Sequence, residues 1–254
     1  QAAAIHMLSI PVQRGEEPTT PVHKLSPLSE DEVVQAAFAI PIEKNDIGER
    51  YVLTVTRQGM VKKSLVTELP GASANRFTLV KVNEGDELFR VLLTDGKKEV
   101  LLTTAKGMSI RFSETDVRPM GLLAAGVNGI KLKEGDYVVG ASLIEPGNEV
   151  GLVTNQGWAK RIKAEEFPQQ GRYGQGVISW KLKGEDSIVV QLCGKLTDRG
   201  VCHFRKSASK VFTLTNAVER TRQANGQILF KLKPDDELIG FTCLDDFSSY
   251  WEKA

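Results

Sequence analysis

The chain repeats itself with a period of about fifty residues. Each copy contains an acidic turn with an aspartate in the same place, at Asp86, Asp136, Asp186 and Asp236. The clearest copy, residues 99–145, has four short runs rich in Val, Ile, Leu, Thr and Phe, separated by Gly, Asn, Asp and Pro. Such runs are typical of β-strands. Four strands in a period of this length indicate propeller-like blades rather than a helical solenoid, so the sequence predicts an all-β fold.

The clearest copy predicts the layout of one blade. We predict strands over residues 100–104, 108–112, 127–132 and 137–143. Gly107 is the turn glycine between the first two strands, and the last copy has Ala208 in its place. One blade has too little apolar surface to be stable alone, so at least three blades must stack on one another.

The repeats predict a single domain over residues 1–254. The copies span about 1–41, 51–95, 99–145, 149–194 and 200–245, followed by a tail at 246–254 that either caps the last blade or frays. The first copy is incomplete: AAAIHMLSI fits a second strand, and PVHKLSPLSEDEVVQAAFAI fits a third strand, an acidic turn and a fourth strand. Its first strand is missing, which predicts that a longer parent protein continues upstream.

Composition sets few limits on function. Apolar residues make up 41% and charged residues 26%, which is ordinary for a globular protein, and the formal net charge is +1. An argument for a polyanionic partner must therefore rest on how the charges are distributed. The sequence contains neither a long apolar run nor a signal-peptide pattern, and its three cysteines lack CxxC spacing. These features predict a reducing cytoplasm, with neither a disulfide framework nor a zinc site.

Catalytic motifs are not visible in the sequence. His6, His23 and His203 are far apart and have no partner at metal-ligand spacing. The glycines of residues 171–176 lie between strands instead of opening a helix, which indicates a loop. Carboxylate pairs such as Glu165–Glu166 and Asp235–Asp236 recur in turns, where solvation explains them.

Basic residues recur in the frame of the repeat, just after each hairpin turn and in the loops that follow. Third strands add Lys81, Lys131 with Lys133, Lys181 with Lys183, and Lys231 with Lys233. A single such residue most often belongs to the solvated face of a sheet. Recurrence at equivalent positions predicts an arc of positive charge, which suits the phosphates of a bending duplex. The candidates for phosphate contact are Lys62, Lys63, Arg76, Arg111, Arg118, Lys160, Arg161, Lys163, Arg172, Arg220 and Arg222.

Three stretches carry a resemblance to a known family. RFSETDVRPMGLLAAGVNGIKLKEGDYVV (residues 111–139), TRQGMVKKSLVTEL (residues 56–69) and NQGWAKRIKAEEFPQQGRYGQGVISWKL (residues 155–182) resemble the C-terminal domain of the DNA gyrase A protein. The similarity runs in register from about Ala2 to Leu244. The corresponding domain of topoisomerase IV is the nearest related alternative.

The resemblance implies a β-pinwheel, a propeller-like disc of about five four-stranded blades that exchange strands, with the first blade incomplete. It also implies a domain that binds and bends duplex DNA around a basic perimeter and presents a segment to a catalytic core for ATP-driven supercoiling. The implied partners are double-stranded DNA, the rest of the gyrase A protein and the gyrase B protein, in an A2B2 enzyme of the bacterial or organellar nucleoid. No membrane partner is implied. ATP and magnesium are implied only for the parent enzyme, and no cofactor for this domain.

The chain departs from the family in one respect that bears on DNA wrapping. Gyrase members have six blades, and the glutamine-arginine-arginine-glycine-glycine box belongs to a first blade that has no counterpart here. Gln13-Arg14-Gly15 matches only part of the box and lies at a different position in the repeat, so the role of the box is not transferred to it.

Two other classes of function remain open from the sequence. A protein-interaction propeller predicts an exposed apolar patch and no salt-dependent affinity for DNA. An enzyme with a central funnel needs acidic groups or histidines near the axis. The DNA hypothesis predicts a log–log salt slope near −5 for about six phosphate contacts. It also predicts that replacing Lys160, Arg161 and Lys163 together with Ala flattens that slope with little change in melting temperature.

Overall fold

The computed structural model describes residues 1–12, 19–40, 48–73 and 75–243. These residues confirm the all-β prediction, because they form three four-stranded sheets and one three-stranded sheet arranged as a propeller-like ring. The predictions for the tail at 246–254 and for Gln13-Arg14-Gly15 lie outside the described residues.

Most of each complete copy is made of short antiparallel strands. The strands are β1 (Tyr51–Thr56), β2 (Met60–Leu65), β3 (Leu88–Thr94), β4 (Glu99–Thr104), β5 (Met108–Ser113), β6 (Val127–Asn128), β7 (Val138–Ile144), β8 (Glu149–Thr154), β9 (Trp158–Lys163), β10 (Val177–Ile178), β11 (Ile188–Gly194), β12 (Arg199–Phe204), β13 (Lys210–Thr213), β14 (Gln227–Ile228) and β15 (Leu238–Cys243). The helical elements are α1 (Val22–Leu25) and 3₁₀ turns at Met7–Ser9, Val66–Glu68, Glu114–Asp116, Ala164–Glu166 and Leu214–Asn216.

Neighbouring blades exchange a strand. The sheets have the orders β3-β1-β2-β6, β7-β4-β5-β10, β11-β8-β9-β14 and β15-β12-β13. The outer strands β6, β10 and β14 come from the following copy, so the third strand of one repeat completes the blade before it. This exchange confirms the strand-swapped architecture that the resemblance implies.

The fourth strands lie at the centre of the ring. Strand β7 packs against both β3 and β11, and β11 packs against β15. Their side chains line a channel of about 780 Å³ together with residues 34–37 of the first copy. Each blade therefore has its fourth strand at the axis and the exchanged strand at the outer edge.

The hydrophobic cores form between blades. One cluster joins Leu53 and Val61 of one copy to Val100 and Phe112 of the next, and equivalent clusters follow at the other junctions. Fully burying one such side chain stabilises the fold by about 1.5–3 kcal/mol. Because the cores are shared, a single blade would lose most of its buried surface, as the stacking argument predicted.

Hairpin glycines are required by close contact with the next copy. Gly107 has φ +83°, and a Cβ on it would lie 2.4 Å from the Trp180 carbonyl oxygen. In the last blade Val201 pairs with Val211, as Gly151 pairs with Arg161. That register places Ser207, not Ala208, at the position of the turn glycine, so the prediction of Ala208 is wrong.

Three of the recurring aspartates, Asp86, Asp136 and Asp236, accept hydrogen bonds from backbone N–H groups of the hairpin turns. Asp136 Oδ1 accepts hydrogen bonds from the Lys106 N–H at 3.0 Å and the Tyr137 N–H at 2.9 Å. Asp236 does the same in the last blade, and its Oδ2 also accepts a hydrogen bond from the Ser207 hydroxyl. Asp236 is buried, so the prediction that solvation explains this carboxylate is wrong.

The third strands are shorter than predicted. We predicted a strand over residues 127–132, but β6 ends at Asn128. The chain then leaves the outer edge and crosses the hairpin turn of the preceding blade, where the Gly129 N–H donates to the Gly59 carbonyl at 2.7 Å. Because this backbone bonds to a turn instead of a strand, the ladder stops.

The first copy makes one exchange contact and no further strand among its described residues. Ala2 and Phe77 each donate an N–H to the other's carbonyl at 2.8 Å, in the frame position of the later exchanges. We predicted a fourth strand within residues 33–40, which is wrong. In complete blades the fourth strand pairs with the first strand, and the described residues hold no first strand for this copy.

Candidate nucleic-acid interface

Three of the predicted phosphate contacts, Lys62, Lys63 and Lys160, are buried lysines that bind backbone carbonyls. Lys160 Nζ donates to the carbonyl oxygens of Arg222 at 2.6 Å, Ala224 at 2.8 Å and Thr221 at 3.3 Å. Lys62 Nζ donates to the carbonyls of Leu79 at 2.5 Å and Leu122 at 2.9 Å. Burial lowers the pKa of Lys160 and of Lys62 to about 8. These two ammonium groups hold the loop of the following blade and are not available to phosphate.

The next position along the second strand also carries a cation that joins two blades. Lys63 Nζ donates to the Glu114 carbonyl at 2.9 Å. Arg111 donates to the carbonyls of Ala164 at 3.2 Å and Phe167 at 3.0 Å, and Arg161 donates to the Ala217 carbonyl at 3.0 Å. Each acceptor belongs to the 3₁₀ turn of the following copy or to the residue just after it.

Carboxylates accept further hydrogen bonds from the two arginines. Arg111 Nε donates to Glu99 Oε2 at 2.7 Å, and Arg161 Nη1 donates to Glu149 Oε2 at 3.1 Å and Glu219 Oε2 at 3.3 Å. Recurrence at this frame position therefore reflects blade joining. The prediction of phosphate contact rests on this recurrence, and the structure explains the recurrence by contacts between blades.

Two loop arginines have the same structural use. Arg172 Nη1 donates to the Asn128 carbonyl at 2.5 Å, and Arg222 Nη1 donates to the Ile178 carbonyl at 2.9 Å. Both acceptors end an exchanged strand. Arg222 Nε also donates to the Glu166 carbonyl at 2.7 Å. These arginines tie the loop of one blade to the outer edge of its neighbour.

The remaining candidates are at the surface. Arg118 and Arg220 are exposed on loops that run along the outer edge, where the Met120 N–H donates to the Lys63 carbonyl and the Arg220 N–H to the Arg161 carbonyl. Lys163 is exposed and lies 3.6 Å from Glu219. Arg76 is half exposed, 3.6 Å from Glu32 and hydrogen-bonded to Ser29.

The prediction about the melting temperature of the triple alanine variant is wrong. We expected that replacing Lys160, Arg161 and Lys163 with Ala would leave the melting temperature nearly unchanged. Lys160 is fully buried and Arg161 bridges two blades, so their loss leaves carbonyls of the following blade without a donor. Lys163 is the member of that trio whose replacement tests surface charge alone.

A second group of lysines forms a surface that the predicted phosphate contacts did not include. These residues lie on the segments that follow the exchanged strands, and all are exposed. They are Lys81, Lys131, Lys133, Lys181, Lys183, Lys231 and Lys233. Within the part of the chain that the structure describes, none of their ammonium groups forms an ion pair or a hydrogen bond. We call this set the crossing lysines.

The crossing lysines share one face of the ring. The Ser179 N–H donates to the Gly107 carbonyl at 2.8 Å, and the Leu229 N–H donates to the Gly157 carbonyl at 2.9 Å, as Gly129 does with Gly59. The segments that carry Lys131, Lys181 and Lys231 therefore each lie over a hairpin turn of the preceding blade, and Lys81 has the equivalent position in its own copy. The sequence showed these lysines in the frame, but only the hydrogen bonds show that they lie together on the hairpin-turn face.

The central channel has a mixed lining. Arg57, Arg90, Asn155 and Gln191 contribute polar groups, and Glu237, the carboxylate among the described lining residues, forms an ion pair with Arg205. The described residues contain no group of three or more His, Cys, Asp or Glu side chains placed to hold a metal ion. No helix among them is long and apolar enough to span a membrane.

Comparison with protein families gives one match that covers more than half of the chain. The family is described as DNA gyrase C-terminal domain, beta-propeller, and it matches residues 50–95, 98–145, 149–190 and 210–245. These intervals correspond to the second to fifth copies of the repeat.

Individual relatives agree with this match. The gyrase A protein of Halalkalibacterium halodurans is 38% identical over 110 residues, which is 43% of this chain and 13% of that protein. The gyrase A protein of Escherichia coli K12 is also 38% identical over 110 residues, 12% of its length. The matched region is thus a small part of the relatives.

Solved structures show the same fold. The C-terminal domain of a DNA topoisomerase IV superposes with a TM-score of 0.79 and 29% identity, over 87% of this chain and 69% of that one. A DNA gyrase A C-terminal domain superposes with a TM-score of 0.68 and 20% identity, over 85% of this chain and 75% of that one. At the lower identity, the likeness shows the fold alone.

Proposed function

Because the chain belongs to the DNA gyrase C-terminal domain family of β-propellers, we propose that it binds and bends duplex DNA as a domain of a type IIA topoisomerase. The observation that carries the proposal is the row of crossing lysines. They recur at intervals of fifty residues, are exposed, and have no carboxylate partner among the described residues. A row of unpaired ammonium groups suits a ligand that presents phosphates at regular spacing.

Bending of the DNA follows from the arrangement of the blades in a ring. The crossing segments belong to successive blades and occupy equivalent places around the channel, so a ligand that meets several of them must bend. Lysines neutralise phosphates without reading bases, which supports binding that is largely independent of sequence. The exposed residues Arg118 and Arg220 add positive charge on loops along the outer edge.

The partners of this domain follow from the same proposal. They are double-stranded DNA, the remainder of a gyrase A protein and a gyrase B protein, in the bacterial cytoplasm or an organelle. ATP and Mg²⁺ would be used by the parent enzyme, with no cofactor bound by this domain. The bent segment would be delivered to the catalytic core of that enzyme.

Binding to linear duplexes of different length tests the proposal. Duplexes of about 20 and about 80 base pairs, labelled at both ends, are titrated with the protein over a salt series. We expect salt-sensitive binding, with a log–log slope of about −0.9 per phosphate contact, and increased energy transfer between the ends of the longer duplex. Absence of binding at low salt would contradict the proposal and favour a protein-interaction propeller.

The equivalent domain of topoisomerase IV is a second candidate. It is favoured by the TM-score of 0.79 at 29% identity with a topoisomerase IV C-terminal domain. Fusing the chain to a gyrase A core and assaying supercoiling beside decatenation separates the candidates. A gyrase domain should support negative supercoiling, and a topoisomerase IV domain should favour decatenation without supercoiling.

A further inference from the structure

The last blade has an outer edge on which no described strand lies. Its sheet, β15-β12-β13, has three strands, whereas each of the other three sheets receives an exchanged strand from the following copy. Among the described residues, three outer edges are thus occupied by an exchanged strand and one is not, and we call the last one the open edge. The chemistry of a ligand for the open edge can be inferred from the strands that fill the others.

The occupied edges have a common recognition pattern. A glycine precedes each exchanged strand and lies against the accepting strand: a Cβ on Gly126, Gly176 or Gly226 would come within 2.4 Å of a carbonyl oxygen there. The exchange pair itself is visible between Ala2 and Phe77, which exchange two backbone hydrogen bonds of 2.8 Å. The incoming segment is therefore extended and, in these three copies, enters through a glycine.

The open edge has residues at the same repeat positions that accept an exchanged strand in the preceding blade. Ala208 and Ser209 correspond to Trp158 and Ala159, which pair with β14 in the preceding blade. Both residues are exposed, and β13 begins only at Lys210. In the described chain, no strand pairs with residues 208 and 209 from outside. The outward N–H and C=O of Ser209 are in the position that accepts an exchanged strand.

Lys210 is placed to hold an incoming loop. It corresponds to Lys160, whose ammonium lies 4.8 Å from the Trp180 ring centroid and binds three loop carbonyls. Lys210 Nζ lies 5.8 Å from the centroid of Phe230, the counterpart of Trp180, and 5.6 Å from that of Phe204. Lys210 is exposed, and its ammonium has no oxygen acceptor among the described residues.

The residue after Lys210 indicates whether the open edge receives a single strand or a complete blade. Lys63, Arg111 and Arg161 each donate to the 3₁₀ region of a complete following blade, whereas Val211 stands at their position and is 56% exposed. The last blade therefore has Lys210, the counterpart of a lysine that binds a loop. It has Val211 in place of the cation that binds the 3₁₀ region of a complete blade. This difference favours an extended segment as the occupant.

We propose that residues 208–210 form a strand-acceptor site for an extended segment of a partner protein in which a glycine precedes an apolar strand of the Gly-Gln-Ile type. The partner adds a strand to the sheet, and its loop carbonyls bind the Lys210 ammonium. The counterpart within the first copy does not fill the site, because Val22 and His23 lie in α1. The site is separate from the crossing lysines and does not depend on DNA binding.

A peptide taken from this chain provides the probe. Residues 221–232, TRQANGQILFKL, contain the strand and the carbonyls that fill the Lys160 edge. A fluorescein-labelled copy is titrated with the full chain, and anisotropy is measured. We expect saturable one-to-one binding, lost in a peptide with Gly226→Val and kept in one with Gln223→Val, which places the same side chain at an exposed position.

Variants of the protein locate the binding. Lys210→Met removes the ammonium and Ser209→Pro removes the outward N–H, so each should weaken binding at least about tenfold. Lys206→Met and Ser209→Ala are the matched controls and should leave affinity unchanged. Equal binding of the Gly226→Val peptide, or no saturable binding, overturns the proposal. Concentration-dependent dimerisation that Lys210→Met abolishes would assign the edge to a second copy and also overturn it.

Discussion

A lysine ammonium that is removed from water requires hydrogen-bond acceptors, and Lys160 obtains three from the loop of the next blade. Its ammonium also lies 4.8 Å from the centroid of the Trp180 ring, so the side chain contacts an aromatic face as well as donating hydrogen bonds. Lys163, three residues along the same strand, is exposed. The two lysines have similar sequence surroundings and opposite roles, which makes them a matched pair for mutation.

Replacing Lys160 with Ala should destabilise the fold. The change leaves three loop carbonyls without their donor and opens space beside Trp180, so we expect a loss of about 2–4 kcal/mol in the free energy of unfolding. Urea denaturation measures it. Lys163→Ala is the control, with an expected change within about 0.5 kcal/mol. Equal effects of the two variants would contradict the structural role.

The lowered pKa of Lys160 predicts a pH dependence. Burial lowers its pKa to about 8 in the folded protein, while its ordinary value is 10.5. Between these values the unfolded state binds more protons than the folded state, so this lysine makes stability rise with pH across that window. We expect the stability of the native chain relative to Lys160→Met to increase from about pH 7 to about pH 10. A constant or decreasing difference would show that Lys160 stays protonated when folded.

At the scale of the element, the exchanged strand depends on the glycine before it. Gly176 has φ +76°, and a Cβ there would lie 2.3 Å from the Ser109 carbonyl oxygen. Gly176→Ala should therefore cost about 2 kcal/mol or more, because the strand must move away from its partner. Gly171, in the same loop, has an ordinary φ, and a Cβ on it would meet nothing within 4 Å. Thermal melting of Gly171→Ala should match the unchanged protein, and equal losses in both variants would contradict the requirement at Gly176.

The sequence predicted strand positions closely in the hairpins, where the hydrogen bonds are local. The predicted strands at 100–104 and 108–112 lie within β4 and β5, because a hairpin needs only its own pattern and turn. The fourth-strand prediction failed in the first copy, since a strand also needs a neighbour to pair with. The end of β6 at Asn128 likewise depends on a turn in the preceding blade.

Burial of the basic residues could not be predicted from the sequence in the same way. Lys62 and Lys160 lie on strands whose alternating pattern resembles a solvated face. Their acceptors are carbonyls of residues such as Leu122 and Arg222, about sixty positions away. Backbone carbonyls leave no signature in a sequence, so recurrence of a cation alone does not separate blade joining from phosphate binding.

At the scale of the whole molecule, the ring separates two uses of positive charge. Cations of the second strands and of two loops point into the joints between blades, and the crossing lysines lie on the hairpin-turn face. The connections between successive blades lie at the opposite ends of the strands, since Tyr51 pairs with Thr94 and Thr56 with Leu88. The acidic turns also lie at this face, with Glu134 exposed three residues after Lys131, so the DNA proposal rests on the unpaired ammonium groups and not on a face that is basic throughout.

The salt dependence of DNA affinity in a face-specific variant tests this account most directly. Lys131, Lys181 and Lys231 are replaced together with Gln, and the control replaces Lys97, Lys195 and Arg199, which are exposed near the connections on the opposite face. We predict that the crossing-lysine variant lowers the log–log salt slope by about 2.7, with an unchanged melting temperature, and that the control keeps the original slope. An unchanged slope in the first variant, or an equal loss in the control, would contradict the assignment of DNA to the hairpin-turn face.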